Sequence, residues 1–394
     1  MYAIKRQLKL NNKEVSMMRR LAGFKRFVYN YGIDLIVASW SDKRLTENDT
    51  KRIDAIKKVF ISITMQKPEY EWMKKYPSTI YQSAFLDLKK AFSRWRNGLA
   101  EFPKKKSKKK SDSFTVYKTS GIYPEKGKPA LLFTNRVVIE KGKRIKLPGL
   151  STYRLKEAIN FICSSQTFTV SRTADKWFVS FALNAEKLPP IIHPVQKIAI
   201  DLGVKCLATC SDGSKYEMPL SIQKAKTKLE KEQWRNRHKV LGNKKLKIQA
   251  SSNAKKYYIH LALRHARIAN IRLDTTQKMT TDISRKAHLI RLEDLNVKGM
   301  MANHKLAEAI SNNCFYEIRR QLIYKQAHYG TRVELVDRFY PSSKMCSVCR
   351  HIQPMKLSDR MFKCQNVACN HVLCRDENAS LNLVNAPKNK VRLA

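Results

Sequence analysis

Ile198-Ala199-Ile200-Asp201-Leu202-Gly203-Val204-Lys205 is the stretch on which the fold turns. Its first three residues are apolar and read as a short buried strand, with the carboxylate of Asp201 at the strand's end. Outward from it, residues 206–211, the Asp212-Gly213 turn and residues 216–218 read as the next two strands of a meander. Two long basic helical stretches follow, at about 221–248 and 254–285. A fourth strand, 288–292, then ends at Glu293. A helix over 313–329 and a strand over 331–336 lead into a cysteine cluster. Three strands, a helical excursion, another strand and a helix fit a ribonuclease H-like α/β fold.

Towards the amino terminus the texture differs. Tyr2, Ile4, Leu8 and Leu10 alternate with Lys5, Arg6 and Lys9 as in a strand, and residues 13–73 turn helical. A further helix runs from Pro77 to Gly98, with Tyr81, Ala84, Phe85, Leu88, Phe92 and Trp95 as one core-facing stripe. Lys104, Lys105, Lys106, Lys108, Lys109 and Lys110 then place six lysines in seven residues. Such a block is expected not to pack, but to be solvated or bound to phosphates, and it marks a boundary. Strand-like runs at 113–117, 131–139, 144–147 and 166–183 predict a small antiparallel barrel or sheet, and Pro189-Pro190 a stiff linker.

Composition limits the function. In 394 residues, 78 Lys and Arg against 32 Asp and Glu leave a formal charge of +46. With 43% hydrophobic residues the chain can build real cores, so this charge is not the mark of a disordered tail. A compact state so charged repels itself unless a polyanion compensates, which points to nucleic acid and away from small-molecule metabolism. No segment approaches the roughly 20 apolar residues of a membrane helix. No signal peptide is seen either, so a cytoplasmic location is expected.

Phosphodiester hydrolysis with two metal ions needs carboxylates from distant segments that hold cations roughly 3.5–4 Å apart. Carboxylates and water suit Mg²⁺, with Mn²⁺ able to substitute. Asp201 and Glu293 at strand ends, and Asp376 where a helix begins, are the candidates. Asp294 competes with Glu293 and Glu377 with Asp376, and charge pattern alone does not choose between them. Taken singly, an acid after a strand is more often a turn residue or a helix cap. Cys346-x₂-Cys349 and Cys364-x₄-Cys369 form two knuckles whose four thiolates would bind a tetrahedral Zn²⁺. A closed four-cysteine site is structural, not catalytic. His371 and Cys374 are spare donors, and Ser342, Ser343 and Lys344 before the first knuckle could meet phosphate.

These motifs resemble the TnpB proteins encoded by insertion sequences. Ile200-Asp201-Leu202-Gly203 with Ser211-Asp212-Gly213, and Glu293-Asp294-Leu295, are similar to the first two RuvC motifs of that family. Residues 340–349 and Arg375-Asp376-Glu377-Asn378-Ala379 resemble its zinc knuckle and third RuvC motif, and 98–114 its basic segment. The resemblance implies an RNA-guided DNA endonuclease that binds a transposon-derived guide RNA (ωRNA) and reads a short motif beside its target. It would cut both strands of double-stranded DNA with one RuvC site. It selects Asp201, Glu293 and Asp376 as the catalytic, Mg²⁺-binding carboxylates. Residues 1–12 and 104–190 would form an oligonucleotide-binding-like wedge β-barrel, with a helical recognition domain, 13–103, inserted. The RuvC nuclease domain would take 191–340 and 373–394, and the zinc ribbon 341–372.

Three positions depart from the family pattern. Arg350 and Asn370 stand where glycine usually follows each knuckle, which predicts altered knuckle geometry. Cys374 stands where an aspartate is common. Lys224, Lys226, Lys228, Lys231, Arg235, Arg237 and Lys239, with Arg375, are candidates to guide a displaced strand along the backbone phosphates. One catalytic set can cut two strands in turn, so a monomer suffices and a dimer is not excluded. A miniature type V CRISPR effector shares every motif. A guided repressor that does not cut would lack one or more of the carboxylates, and a transposase would lack the ribbon before Asp376.

Overall fold

The computed structural model describes residues 2–40, 49–108, 112–117, 137–183, 192–204, 206–243, 248–356 and 358–394. They belong to two compact units, Met1–Glu186 and Lys187–Ala394. Lys109, Lys110, the Pro189-Pro190 pair and the first part of the strand expected over 131–139 lie outside the described residues. Among the described residues, no helix is long and apolar enough to cross a membrane.

The first unit opens with strand β1 (Tyr2–Lys9) and helices α1 (Asn12–Ser39), α2 (Asp49–Ser62) and α3 (Ser78–Arg96). Asn11 starts α1 with a capping box: its side chain accepts from the Glu14 N–H at 2.9 Å, and the Glu14 carboxylate accepts from the Asn11 N–H at 2.7 Å. Met18, Leu21, Phe24 and Val28 then bury one stripe of the helix. Gly32 sits where α1 meets α3, since a Cβ there would come within 2.7 Å of the Leu88 side chain.

Strands β2 (Ser113–Tyr117), β3 (Val137–Ile139), β4 (Gly142–Lys146), β5 (Thr152–Ile159), β6 (Cys163–Ser165), β7 (Thr167–Thr173) and β8 (Lys176–Leu183) follow. Six of the strands form an antiparallel sheet in the order β2-β7-β8-β1-β5-β4. Its apolar residues share one core with the three helices. The run expected over 166–183 is a hairpin, turned by Ala174 and Asp175, both at positive φ. Strand β5 was not expected because Arg154, Lys156 and Glu157 interrupt its buried Tyr153, Leu155 and Ile159.

The second unit begins with β9 (Val195–Asp201), β10 (Ala208–Cys210), β11 (Lys215–Tyr216), α4 (Leu220–Arg235), α5 (Ser252–Lys286) and β12 (Ala287–Glu293). It continues with α6 (Val297–Met301), α7 (His304–Asn313), α8 (Phe315–Tyr329), β13 (Arg332–Val336), β14 (Met361–Lys363), β15 (Val372–Cys374), α9 (Arg375–Val384) and β16 (Val391–Leu393). The main sheet has the order β11-β10-β9-β12-β13-β16, with β9, β12 and β13 parallel. One expectation needs correction: the helix expected over 221–248 stops at Arg235. The helix expected over 313–329 is α8, which starts just after Cys314, at φ 54°, and is preceded by α7.

The alternation of side chains along the parallel strands gives this sheet two different faces. Ile198, Ile200, Ile290, Leu292, Val333 and Leu335 pack with Ile283 of α5 and with Phe315, Ile318 and Leu322 of α8. Ala199 and Val336 point the other way and pack with Leu383 of α9 and Ala386. Arg291 shares that second face. Its Nε donates to Glu334 at 3.1 Å, and its Nη1 donates to the carbonyls of Val384 and Ala386, both at 2.8 Å. A buried guanidinium thus fastens the carboxyl end of α9 to the sheet, where orphan carbonyls need donors. Arg291→Met leaves those carbonyls unmet and Glu334 short of a partner. It is expected to cost about 3 kcal/mol, read as a lower urea midpoint, and an unchanged midpoint would disprove the fastening.

Candidate active site

Strand parity decides which acids meet. The register between β9 and β12 pairs Ile200 with Leu292, so the next residues, Asp201 and Glu293, stand abreast. Counting from Ala199 and Arg291, both belong to the face that carries α9. Asp376 lies in the first turn of α9, which packs on β9. Three acids from segments far apart in sequence therefore converge at the carboxyl ends of the sheet's two central strands.

Their charges act on one another. The Asp201 carboxyl is pushed up to about 7, first by burial and then by the charges of Asp376 and Glu293, with Arg375 acting in the opposite sense. Burial alone pushes Glu293 up to about 7. Carboxylate oxygens brought together in this way are the type of donor that suits a hard divalent ion.

The rival acids point elsewhere. Asp294 falls on the opposite face, where its carboxylate accepts from Arg319, Arg338 and Arg392. Glu377 lies 3.6 Å from the Lys215 ammonium.

The four predicted cysteines form a cage. Cys346, Cys349, Cys364 and Cys369 have sulfurs that all lie within 4.8 Å of one another. The Cys346–Cys369 and Cys349–Cys364 pairs stand 3.8 and 3.5 Å apart. A tetrahedral ion with bonds of about 2.3 Å wants sulfurs about 3.8 Å apart, so the cage fits one. Each knuckle is closed in the same way: the Cys346 N–H donates to the His351 carbonyl and the Cys364 N–H to the His371 carbonyl, both at 2.8 Å. The altered geometry expected at Arg350 and Asn370 is not found. They adopt φ of 64° and 47°, the left-handed conformation a glycine would take. Arg350 Nη1 donates to Asn382 Oδ1 at 3.2 Å, which helps to hold it there.

Helix α9 joins cage and carboxylates. One helical turn apart, Asn378 and Asn382 both donate to the Met345 carbonyl, at 2.7 and 2.6 Å, and Asn378 Oδ1 accepts from the Ser347 N–H. Neither asparagine nor Arg291 was singled out from sequence. The available signals were polar residues four apart on an apolar helix face and one charge inside Leu289-Ile290-Arg291-Leu292. Asn382 also donates to the carbonyl of Ser342, which is buried, so of the predicted hydroxyl pair Ser343 is the one left partly open. Lys344 is exposed, and Arg375 lies half-buried beside Asp376.

The basic residues divide. Lys224, Lys228, Lys231 and Arg235 line a shallow groove on α4, and Arg237 stacks on Trp234, 4.5 Å from the ring centre. Part of the lysine block packs, contrary to expectation. The backbone of Lys106 exchanges two hydrogen bonds with the Asn30 side chain. Its ammonium sits 3.9 Å from the centre of the Tyr29 ring and 3.2 Å from Asp87. Lys105 and Lys104 pair with Asp34 and Glu101, while Lys108 is exposed.

Known proteins match this chain. Residues 180–304 match the model OrfB_IS605, described as "Probable transposase", and residues 315–383 match the TNB domain of Cas12f1-like proteins. A protein of Escherichia coli (strain K12) named "Putative RNA-guided DNA endonuclease InsQ" is 30% identical over 92% of this chain and 87% of its own. The chain belongs to this TnpB-like family. A second TnpB-like relative, "Putative RNA-guided DNA endonuclease" of Streptomyces pristinaespiralis, is 28% identical over 95% of this chain and 86% of its own. Among solved structures, the Cas12f1 chain of a cryo-EM complex with sgRNA and target DNA has the same fold. It superposes with a TM-score of 0.54 at 16% identity, covering 95% of this chain and 83% of that one.

Crowded carboxylates give the TnpB-like chain a pH signature in magnesium-free buffer. Asp201 and Glu293 ionise at about 7 when folded and at about 4 when unfolded. The folded state therefore binds more protons between those values, and this contribution to stability falls as pH rises from about 4 to about 7. Asp201→Asn should match the parent's melting temperature near pH 4 and exceed it increasingly up to about pH 7. A gap that does not change with pH would mean the carboxylates are not crowded.

Proposed function

We propose that this protein cuts double-stranded DNA at sites chosen by a bound guide RNA, with Asp201, Glu293 and Asp376 as its catalytic carboxylates. The observation that carries this is the convergence of the three acids at the carboxyl ends of β9 and β12, where burial and neighbouring acids raise Asp201 and burial raises Glu293. Supporting it are the family membership, the +46 charge and a fold shared with Cas12f1 in its complex with sgRNA and target DNA.

Asp201, Glu293 and Asp376 would hold two Mg²⁺ ions. The chemistry such a pair supplies is an ionised water for attack and charge neutralisation at the leaving oxygen. The chain's own part is placement. Strands β9 and β12 hold two of the carboxylates rigidly, and α9, fastened by Arg291, carries the third. The same carboxylates must lose their protons before they can bind a cation, so low pH opposes binding. Backbone phosphates would be met by Lys224, Lys228, Lys231 and Arg235 on α4 and by Arg375, while sequence is read by base pairing.

In domain terms, residues 191–340 and 373–394 are read as a RuvC nuclease domain of ribonuclease H-like fold, with 341–372 as a zinc ribbon inserted before the last carboxylate. Residues 1–12 and 104–190 are read as an oligonucleotide-binding-like wedge barrel around a helical recognition domain, 13–103. The insertion of α1, α2 and α3 between β1 and β2 supports that division.

Two measurements test the proposal. Asp201→Ala should lower cleavage of a matched duplex by at least about 1,000-fold and leave the co-purifying guide RNA at parent levels. Cutting by a clean preparation of that variant would refute the site. Metal analysis should find about one zinc per chain, lost in Cys364→Ser together with protease resistance of residues 341–372. A zinc-free preparation that keeps that resistance would refute the structural role.

A further inference from the structure

Asp294 draws three guanidinium groups to one carboxylate. Arg319 of α8 donates to Oδ1 at 2.8 Å, while Arg392 of β16 and Arg338, just beyond β13, donate to Oδ2 at 2.6 and 3.3 Å. Burial of Asp294 works to raise its carboxyl, but Arg392 and Arg319 outweigh this and hold it below the usual carboxylate range. Among the described residues these arginines have no recorded ion pair with another acid. Asp337, beside Arg338, instead turns Oδ1 to the N–H of Phe339.

Three positive charges on one negative are more than Asp294 needs. One arginine would satisfy a buried carboxylate, and partly exposed ion pairs add little stability each. The arginine side chains remain 33%, 43% and 64% exposed, for Arg319, Arg338 and Arg392. The recorded bonds use one nitrogen of each guanidinium, so the rest of each fork stays available to an anion. A planar fork held by an acid and facing water is preorganised for the oxygens of a phosphodiester.

The location is informative. Asp294 directly follows Glu293, so cluster and carboxylates hang from consecutive residues at the carboxyl end of β12, on opposite faces of the sheet. Next to the cluster Phe339 is 87% exposed. Its turn is braced by the bond to Asp337 at 2.7 Å, by the Tyr340 N–H on the Asp337 carbonyl at 3.0 Å and by the Asp337 N–H on the Lys390 carbonyl at 2.8 Å. An exposed ring on a stiff turn beside phosphate-seeking cations is a stacking platform for an unpaired base.

We infer that Arg319, Arg338 and Arg392, organised by Asp294, clamp a phosphodiester of the single DNA strand being cut, and that Phe339 stacks on one of its bases. This rests on the carboxylates being the nuclease site. Asp294 serves as a positioning residue for the forks rather than as a metal ligand.

The test is single-turnover cleavage of a matched duplex by the purified ribonucleoprotein across a salt series. Arg338→Ala with Arg392→Ala should cut about 10-fold more slowly and flatten the salt dependence by one to two counterions. Phe339→Ala should also cut about 10-fold more slowly with the salt slope kept. Guide RNA content and target binding in magnesium-free buffer should stay at parent levels. If the double variant melts early, Phe339→Ala, on a fully displayed ring, and Arg392→Lys, which keeps the charge and should restore the salt slope, decide the matter. Parent rates and slopes in these variants would overturn the clamp, as would ultraviolet cross-linking of Phe339 to guide RNA instead of DNA. Asp201→Ala is run alongside. If it is dead while the clamp variants cut normally, the clamp alone falls; if it still cuts, the nuclease site falls and the clamp with it.

Discussion

The parallel pairing of β9 with β12, in the register that sets Ile200 beside Leu292, is the constraint on which the site depends. A slip of one residue would send Asp201 or Glu293 to the opposite face and separate them. The register is held by burial: Ile198, Ile200, Ile290 and Leu292 fill a core with α5 and α8 that no shifted pairing could fill. The energy that aligns the acids is therefore hydrophobic and sits behind the sheet. On the front, the acids raise one another's energy, and the core sustains that cost.

Helix α9 carries the second half of the design. Ten residues long, it presents Asp376 at its amino end, Asn378 and Asn382 along one face and its last carbonyls to Arg291. The cysteine cage is thereby joined to the helix that bears Asp376 through hydrogen bonds as well as through the peptide that holds β15. Disturbing the cage loosens the Met345 carbonyl that both asparagines hold, and through α9 it reaches Asp376. Arg350 and Asn370 show how far the cage constrains the backbone, since both accept a conformation that costs a side-chain-bearing residue about 1–2 kcal/mol.

Charge in this molecule is sorted rather than spread. Lys105 and Lys106 are spent on Asp34, Asp87 and Tyr29, where they tie the chain after α3 back onto α1 and α3, and Lys25 of α1 pairs with Asp87 of α3. The α4 groove and the Asp294 cluster keep their cations turned outward. A lysine count could not distinguish these uses, because they differ only in whether an acid from elsewhere in the chain happens to lie nearby.

Short-range pattern in the sequence determined a good deal: strands that end in Asp201 and Glu293, a helix that opens at Asp376, and two cysteine knuckles with ligand spacing. It held, unused, the parity argument that separates Glu293 from Asp294, because alternation along Leu289-Ile290-Arg291-Leu292 already assigns each residue a face. Strand β5 was hidden because charged residues on its open side masked the period. Arg291, the docking of Lys106 on Asn30 and the gathering of three arginines at Asp294 belong to tertiary structure alone. Each joins residues dozens of positions apart, and only the packed core brings such partners within the few ångströms over which a hydrogen bond acts.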